Sequence, residues 1–101
     1  MITIMAKQSL EFKQTGNRYT ASFVSAGTTV VQLEREYKAE NNIGQLTVYA
    51  YIDGMNPVPV RNWTSYEASR NMIFQIDIPA GVTVEIVSLC RVINANIITE
   101  D

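Results

Sequence analysis

The stretch Leu46-Thr47-Val48-Tyr49-Ala50-Tyr51-Ile52-Asp53-Gly54 decides the fold. Apolar Leu46, Val48, Ala50 and Ile52 alternate with Thr47, Tyr49, Tyr51 and Asp53. A period of two builds a half-buried strand, here with the aliphatic side chains toward a core and the tyrosines on the second face. Asp53-Gly54 ends the strand as a turn signal, and Pro57 and Pro59 follow closely.

The same period recurs on both sides. Leu10 and Phe12 alternate with Glu11 and Lys13; Tyr19, Ala21 and Phe23 with Arg18, Thr20 and Ser22. Phe74, Ile76 and Ile78 alternate with Ile73, Gln75 and Asp77; Val82, Val84 and Ile86 with Thr83, Glu85 and Val87. Residues 91–99 read as a last strand. Turns fall at Gln14-Thr15-Gly16-Asn17, Ser25-Ala26-Gly27 and Asn41-Asn42-Ile43-Gly44. Pro79-Ala80-Gly81 separates Phe74–Ile78 from Val82–Val87 closely enough for those two to pair as a hairpin.

Two segments read two ways. Residues 29–40 carry Val30, Leu33 and Tyr37 at helical spacing after a possible Thr29-x-x-Gln32 capping box. The β-branched run Thr28-Thr29-Val30-Val31 and the alternation of Val31 and Leu33 with Gln32 and Glu34 favour a strand over 28–36. Residues 61–71 contain Thr64-x-x-Glu67 but no sustained apolar stripe, and read as a loop with one helical turn. Pro57 and Pro59 confine residues 58–61 to a sheet edge, because proline donates nothing to a ladder. The expected fold is all-β: one antiparallel β-sandwich over residues 1–101, of jelly-roll or Greek-key type, with about seven or eight strands.

Composition narrows the chemistry. At 101 residues and 47% hydrophobic, the chain can bury a core of its own. It contains no histidine, which removes Ser-His and Cys-His nucleophile pairs, imidazole metal sites and a histidine pH switch. Cys90 is the one cysteine, so no internal disulfide can form, and its apolar neighbours favour a buried thiol. The glycines at 16, 27, 44, 54 and 81 lie too far apart for a phosphate-binding loop. Eight basic residues are dispersed among ten acidic ones, which argues against a nucleic-acid partner. No apolar run is long enough to span a membrane as a helix. No basic n-region with an apolar stretch opens the chain, so cytoplasmic synthesis without a signal peptide is expected.

Four candidate sites remain. Tyr49 and Tyr51, with Trp63 and Tyr66 on the neighbouring loop, could form an aromatic surface, with Asn62, Asn56 or Asp53 beside it. Such a surface suits a protein interface or the C–H faces of a glycan, and plain strand packing uses the same residue types. Asp53 and Asn56 could offer oxygens to a calcium ion, although Asp-Gly is first of all a turn, and no metal or cofactor is assigned. Glu34, Glu36, Asp77 and Glu85 are the carboxylates a glycosidase would need, but their strand positions face solvent. Finally, residues 82–98 are apolar on more than one face, and Ile2 and Ile4 add to that surface, which points to cover by another subunit unless a bulge turns them inward.

The expected role is non-catalytic: a structural or binding module that self-associates or docks on a multimeric assembly. Protein partners and a homo-oligomer are expected, with a glycan-binding module as the alternative. By fold-level analogy alone, such compact histidine-free sandwiches resemble auxiliary decoration, fibre or tail proteins of bacteriophage virions.

Overall fold

The computed structural model describes residues 5–36, 44–65 and 67–100. They form nine strands: β1 (Met5–Ser9), β2 (Lys13–Thr15), β3 (Arg18–Val24), β4 (Gly27–Glu36), β5 (Leu46–Tyr51), β6 (Val58–Trp63), β7 (Asn71–Ile78), β8 (Thr83–Ser88) and β9 (Arg91–Glu100). One sheet has the order β1-β9-β4-β7 and the other β2-β3-β8-β5-β6, with every pairing antiparallel. The β-sandwich expected from the alternation is therefore the observed fold.

The strand order follows one rule. β1 pairs with β9, β3 with β8, β4 with β7 and β5 with β6, and the partners' residue numbers add to nearly the same total in all four pairs. The chain is thus a single long hairpin, with its tip at Asp53–Met55, rolled up so that successive pairs alternate between two sheets. That is the jelly-roll arrangement. The β4–β9 and β5–β8 ladders then close the roll.

The core is the inward half of each strand. Val31, Leu33, Leu46, Val48, Val84 and Ile86 are fully buried, with Ala21, Phe74, Ile76, Ala95 and Ile97 packed among them. The region 28–36 is strand throughout, because its inward positions Thr29, Val31, Leu33 and Arg35 must meet the facing sheet, which a helix would not allow.

Three expectations need correction. Leu10 and Phe12 do not belong to a strand: the chain crosses from β1 to β2 there, and Leu10 drops into the core while its N–H donates to the Ala95 carbonyl at 2.9 Å. Residues 74–78 and 82–87 do not form a hairpin either. β7 and β8 lie in different sheets, because β7 is held by β4 and β8 by β3 and β5. Ile52, placed on the core side by the alternation, is 63% exposed, because the β5–β6 hairpin continues past the last ladder pair, Tyr51↔Thr83. The edge position of β6 and the turn at Thr64–Glu67 match the reading of the sequence, but residues 61–63, read as loop, are strand, because β6 stays paired with β5 as far as Leu46↔Trp63.

Each sheet change leaves backbone groups that need partners inside the protein. At one end, Ser25 serves two crossings. Its N–H donates to Val82 O, its carbonyl accepts from Gly81 N–H, and its hydroxyl donates to Ile78 O at 2.7 Å and accepts from Gly27 N–H. At the other end the pin is Arg35, fully buried. Its Nη1 donates to Gly44 O at 2.8 Å and to Ser88 Oγ at 3.3 Å, and its Nη2 donates to Ser69 O. Its backbone accepts from Arg70 Nε and donates to Arg70 O. One side chain thus gathers the segments before β5 and before β7 and the end of β8.

Replacing Arg35 by Leu strands the buried acceptors Gly44 O and Ser88 Oγ and frees Ser69 O, so urea unfolding is expected to show a loss of about 3 kcal/mol. Arg35→Lys is expected to recover little of it, because an ammonium cannot reproduce the planar fork. An Arg35→Leu midpoint equal to that of the parent would contradict this role.

Candidate functional site

Tyr49 and Tyr51 project from the outer face of the five-stranded sheet. Tyr49 sits opposite Glu85 and Pro59, and Tyr51 opposite Thr83; both are half-buried. Val87, at first sight an apolar residue on the wrong face, is 8% exposed in this same layer beside Thr47. Part of the apolar excess at 82–98 is therefore covered within the chain itself. Next to it, Thr47 Oγ1 and Gln45 Nε2 both donate to Asn62 Oδ1, at 2.8 and 3.0 Å.

Trp63 does not join the tyrosines. It pairs with inward-facing Leu46 and packs on the core, its ring 4.7 Å from that of Phe74. Arg61 lies over it, with the guanidinium carbon 4.4 Å from the ring centroid, and Nη1 donates to Gln75 O at 3.0 Å. β6 and β7 are the facing edges of the two sheets. Arg61 thus closes the open side of the sandwich, stacking on the aromatic pair and occupying an edge carbonyl; contacts of this type contribute about 0.5–1 kcal/mol at exposed sites. A bulge makes this possible: Val48 pairs with Arg61 but Tyr49 with Pro59, so Val60 is the extra residue and the faces exchange across it. Tyr66 lies outside the described residues.

The other candidates are dispersed. Glu34 and Asp77 are exposed and Glu85 is half-buried on the opposite sheet. Glu36 pairs with Arg91 at 3.3 Å in an exposed ion pair. Asp53 and Asn56 occupy an exposed turn in which Met55 N–H donates to Ile52 O and Gly54 takes φ 88°. Among the described residues, no group of three His, Cys, Asp or Glu side chains converges as a metal site. Cys90 is buried beside Ser88, whose hydroxyl donates to the Cys90 carbonyl at 2.7 Å.

The feature that stands out is the tip of the β5–β6 hairpin. Ile52, Met55, Val58 and Val60 are 63%, 66%, 58% and 45% exposed. Ile52 and Val58 continue the inward register of Val48 and Ala50, but here no opposing strand covers them. The hairpin overhangs the sandwich and carries its core face into solvent. Pro57 and Pro59 guard the edge against strand addition while leaving the side chains available. The sequence contains the signal for this: Leu46–Val60 holds a single charge, Asp53, in a stretch that runs through a turn. Alternation alone gave no way to see that the facing sheet ends first.

No protein-family model matches the chain, and no curated protein matches it in sequence. Among solved structures, one similarity is to a chain in the crystal structure of Drosophila melanogaster CENP-C bound to CAL1. It has 11% identity and a TM-score of 0.34, over 91% of this chain and 76% of that one. A match this loose carries no information on role or partner.

The Thr64–Glu67 turn is a reciprocal capping box. Thr64 N–H donates to the Glu67 carboxylate at 3.2 Å and Glu67 N–H donates to Thr64 Oγ1 at 3.3 Å. The Thr64 side chain first, and its backbone N–H second, hold the Glu67 pKa below the ordinary carboxylate value. A lowered folded pKa stabilises the turn above the unfolded value, and that contribution disappears as pH falls through the folded one. Amide exchange at Thr64, corrected for its intrinsic pH dependence, is therefore expected to gain an extra rise in the acidic range that Glu67→Gln abolishes. An unchanged profile in the variant would contradict the reciprocal contact.

Proposed function

We propose that this protein is a non-catalytic β-sandwich module that self-associates or docks on a multimeric assembly through its outer surface. The observation that supports this most is the overhanging apolar hairpin tip formed by Ile52, Met55, Val58 and Val60. Contiguous exposed apolar side chains on a small domain mark interaction sites. Here they sit on a proline-guarded edge, which limits indiscriminate strand pairing. Burying them against a partner releases the water that the overhang leaves on core-type side chains.

In its finer form the proposal is an auxiliary protein of a bacteriophage virion, a decoration, fibre or tail component. There, repeated weak contacts on a lattice sum through multivalency. This part rests on analogy of fold. Tyr49 and Tyr51 remain interface candidates on the outer face of the five-stranded sheet, and Trp63 contributes by shaping the sandwich edge beneath Arg61.

Light scattering across a concentration series tests the proposal. The parent chain is expected to exceed the monomer mass at high concentration or on addition of its assembly partner. Ile52→Ser combined with Val58→Thr is expected to weaken that association at least tenfold while changing folding stability by about 0.5 kcal/mol or less, as exposed substitutions usually do. A strict monomer at all concentrations, with or without the assembly, would contradict it.

A further inference from the structure

We propose that the outer face of the four-stranded sheet is a homotypic interface, with a second copy of this chain packed on it face to face. This inference rests on the self-association reading above but uses a different surface. Two rows of that face follow from the ladder registers. One runs Lys7, Ile98, Val30, Gln75 across β1, β9, β4 and β7, and its neighbour runs Ser9, Asn96, Gln32, Ile73. Ile73 is 68% exposed and Ile98 37%, and together with Val30 they form an apolar centre with amide side chains around it. Lys7, Val30, Gln32, Ile73, Asn96 and Ile98 line a shallow groove of about 190 Å³.

Charge makes the face self-complementary. Lys7 lies on the β1 flank, and Asp77 lies on the β7 flank beside Gln75, which donates to its carboxylate at 3.0 Å. A two-fold axis in the interface plane and parallel to the strands lays β1 of one copy over β7 of the other, and β9 over β4. Lys7 then lies over Gln75 of the second copy on each flank, two residues (about 6.6 Å) along β7 from Asp77 and within reach of it for a lysine side chain, and Ile98 meets Val30 across the centre. An axis across the strands would instead bring Lys7 over its own symmetry mate. Isologous contacts of the first kind are those a symmetric dimer requires, and sandwiched sheets tolerate the small rotation between them.

The area suffices. Four strands about 4.8 Å apart, over about eight residues at roughly 3.3 Å each, cover roughly 500 Å² per copy, or about 1,000 Å² for the pair. That reaches the lower bound of a specific interface.

Charge exchange tests this directly. Lys7→Glu and Asp77→Lys place like charges on both flanks of their own homodimers, so each variant alone is expected to dimerise at least tenfold more weakly by sedimentation equilibrium. An equimolar mixture restores an opposite-charge pair on each flank of the mixed dimer and is expected to return to within about threefold of the parent. Both positions are exposed, and circular dichroism of each variant checks folding. Ile73→Glu is expected to abolish dimerisation in the parent and in the mixture. Single variants that dimerise like the parent, or a mixture as weak as its components, would overturn this interface while leaving association through the hairpin tip intact. A parent that stays monomeric unless a different assembly is added would overturn it too, and would leave the docking form of the proposed function standing.

Discussion

A chain that changes sheets repeatedly must satisfy the backbone groups it exposes at every change, and in this protein two buried polar side chains carry much of that duty. Ser25 binds the β3–β4 and β7–β8 crossings to each other. Arg35 gathers three segments at the opposite end from a fully buried position. Burying a guanidinium is unfavourable unless its donors are used, so its presence fixes where those segments can lie. The apolar layer supplies most of the driving force, but apolar contacts are non-directional and tolerate other packings. The polar pins select one roll of the long hairpin over alternatives with similar burial.

Much of this was legible in the sequence. Period-two alternation gave the all-β class, the strand over 28–36, the edge position of β6 and the capping box at Thr64–Glu67. Arg35 was legible too, for a reader who extended Thr29, Val31 and Leu33 by one more step: the alternation puts a cation in an inward position, which calls for buried acceptors. What alternation cannot encode is which sheet a strand joins. Residues 74–78 and 82–87 look like a hairpin locally, and only non-local pairing with β4 and with β3 and β5 separates them. Leu10 and Phe12 show the same limit, since inward-pointing residues on a crossing mimic a strand.

The aromatic surface was legible only in part. Tyr49 and Tyr51 share the outer face as their spacing implies, but the extra residue Val60 exchanges faces along β6, and Trp63 turns toward Phe74 and Arg61. A single-residue bulge leaves no clear trace in hydrophobic pattern, yet it decides whether an aromatic cluster is assembled. The hairpin overhang depends on the relative lengths of facing strands, which is likewise a property of the folded pair. Apolar side chains meet solvent on the outer skin at the hairpin tip and across the four-stranded sheet.

Carbene footprinting as a function of protein concentration addresses that skin most directly, since it reports side-chain accessibility residue by residue. Labelling at Ile52, Met55 and Val58, and at Ile73 and Ile98, is expected to fall as concentration rises, while that at exposed Val24, two strands from β5 on the far side of β8, stays constant. Labelling that is independent of concentration at all of these residues, or protection centred on Val24 instead, would contradict a protein that works through the overhanging hairpin and the outer sheet face.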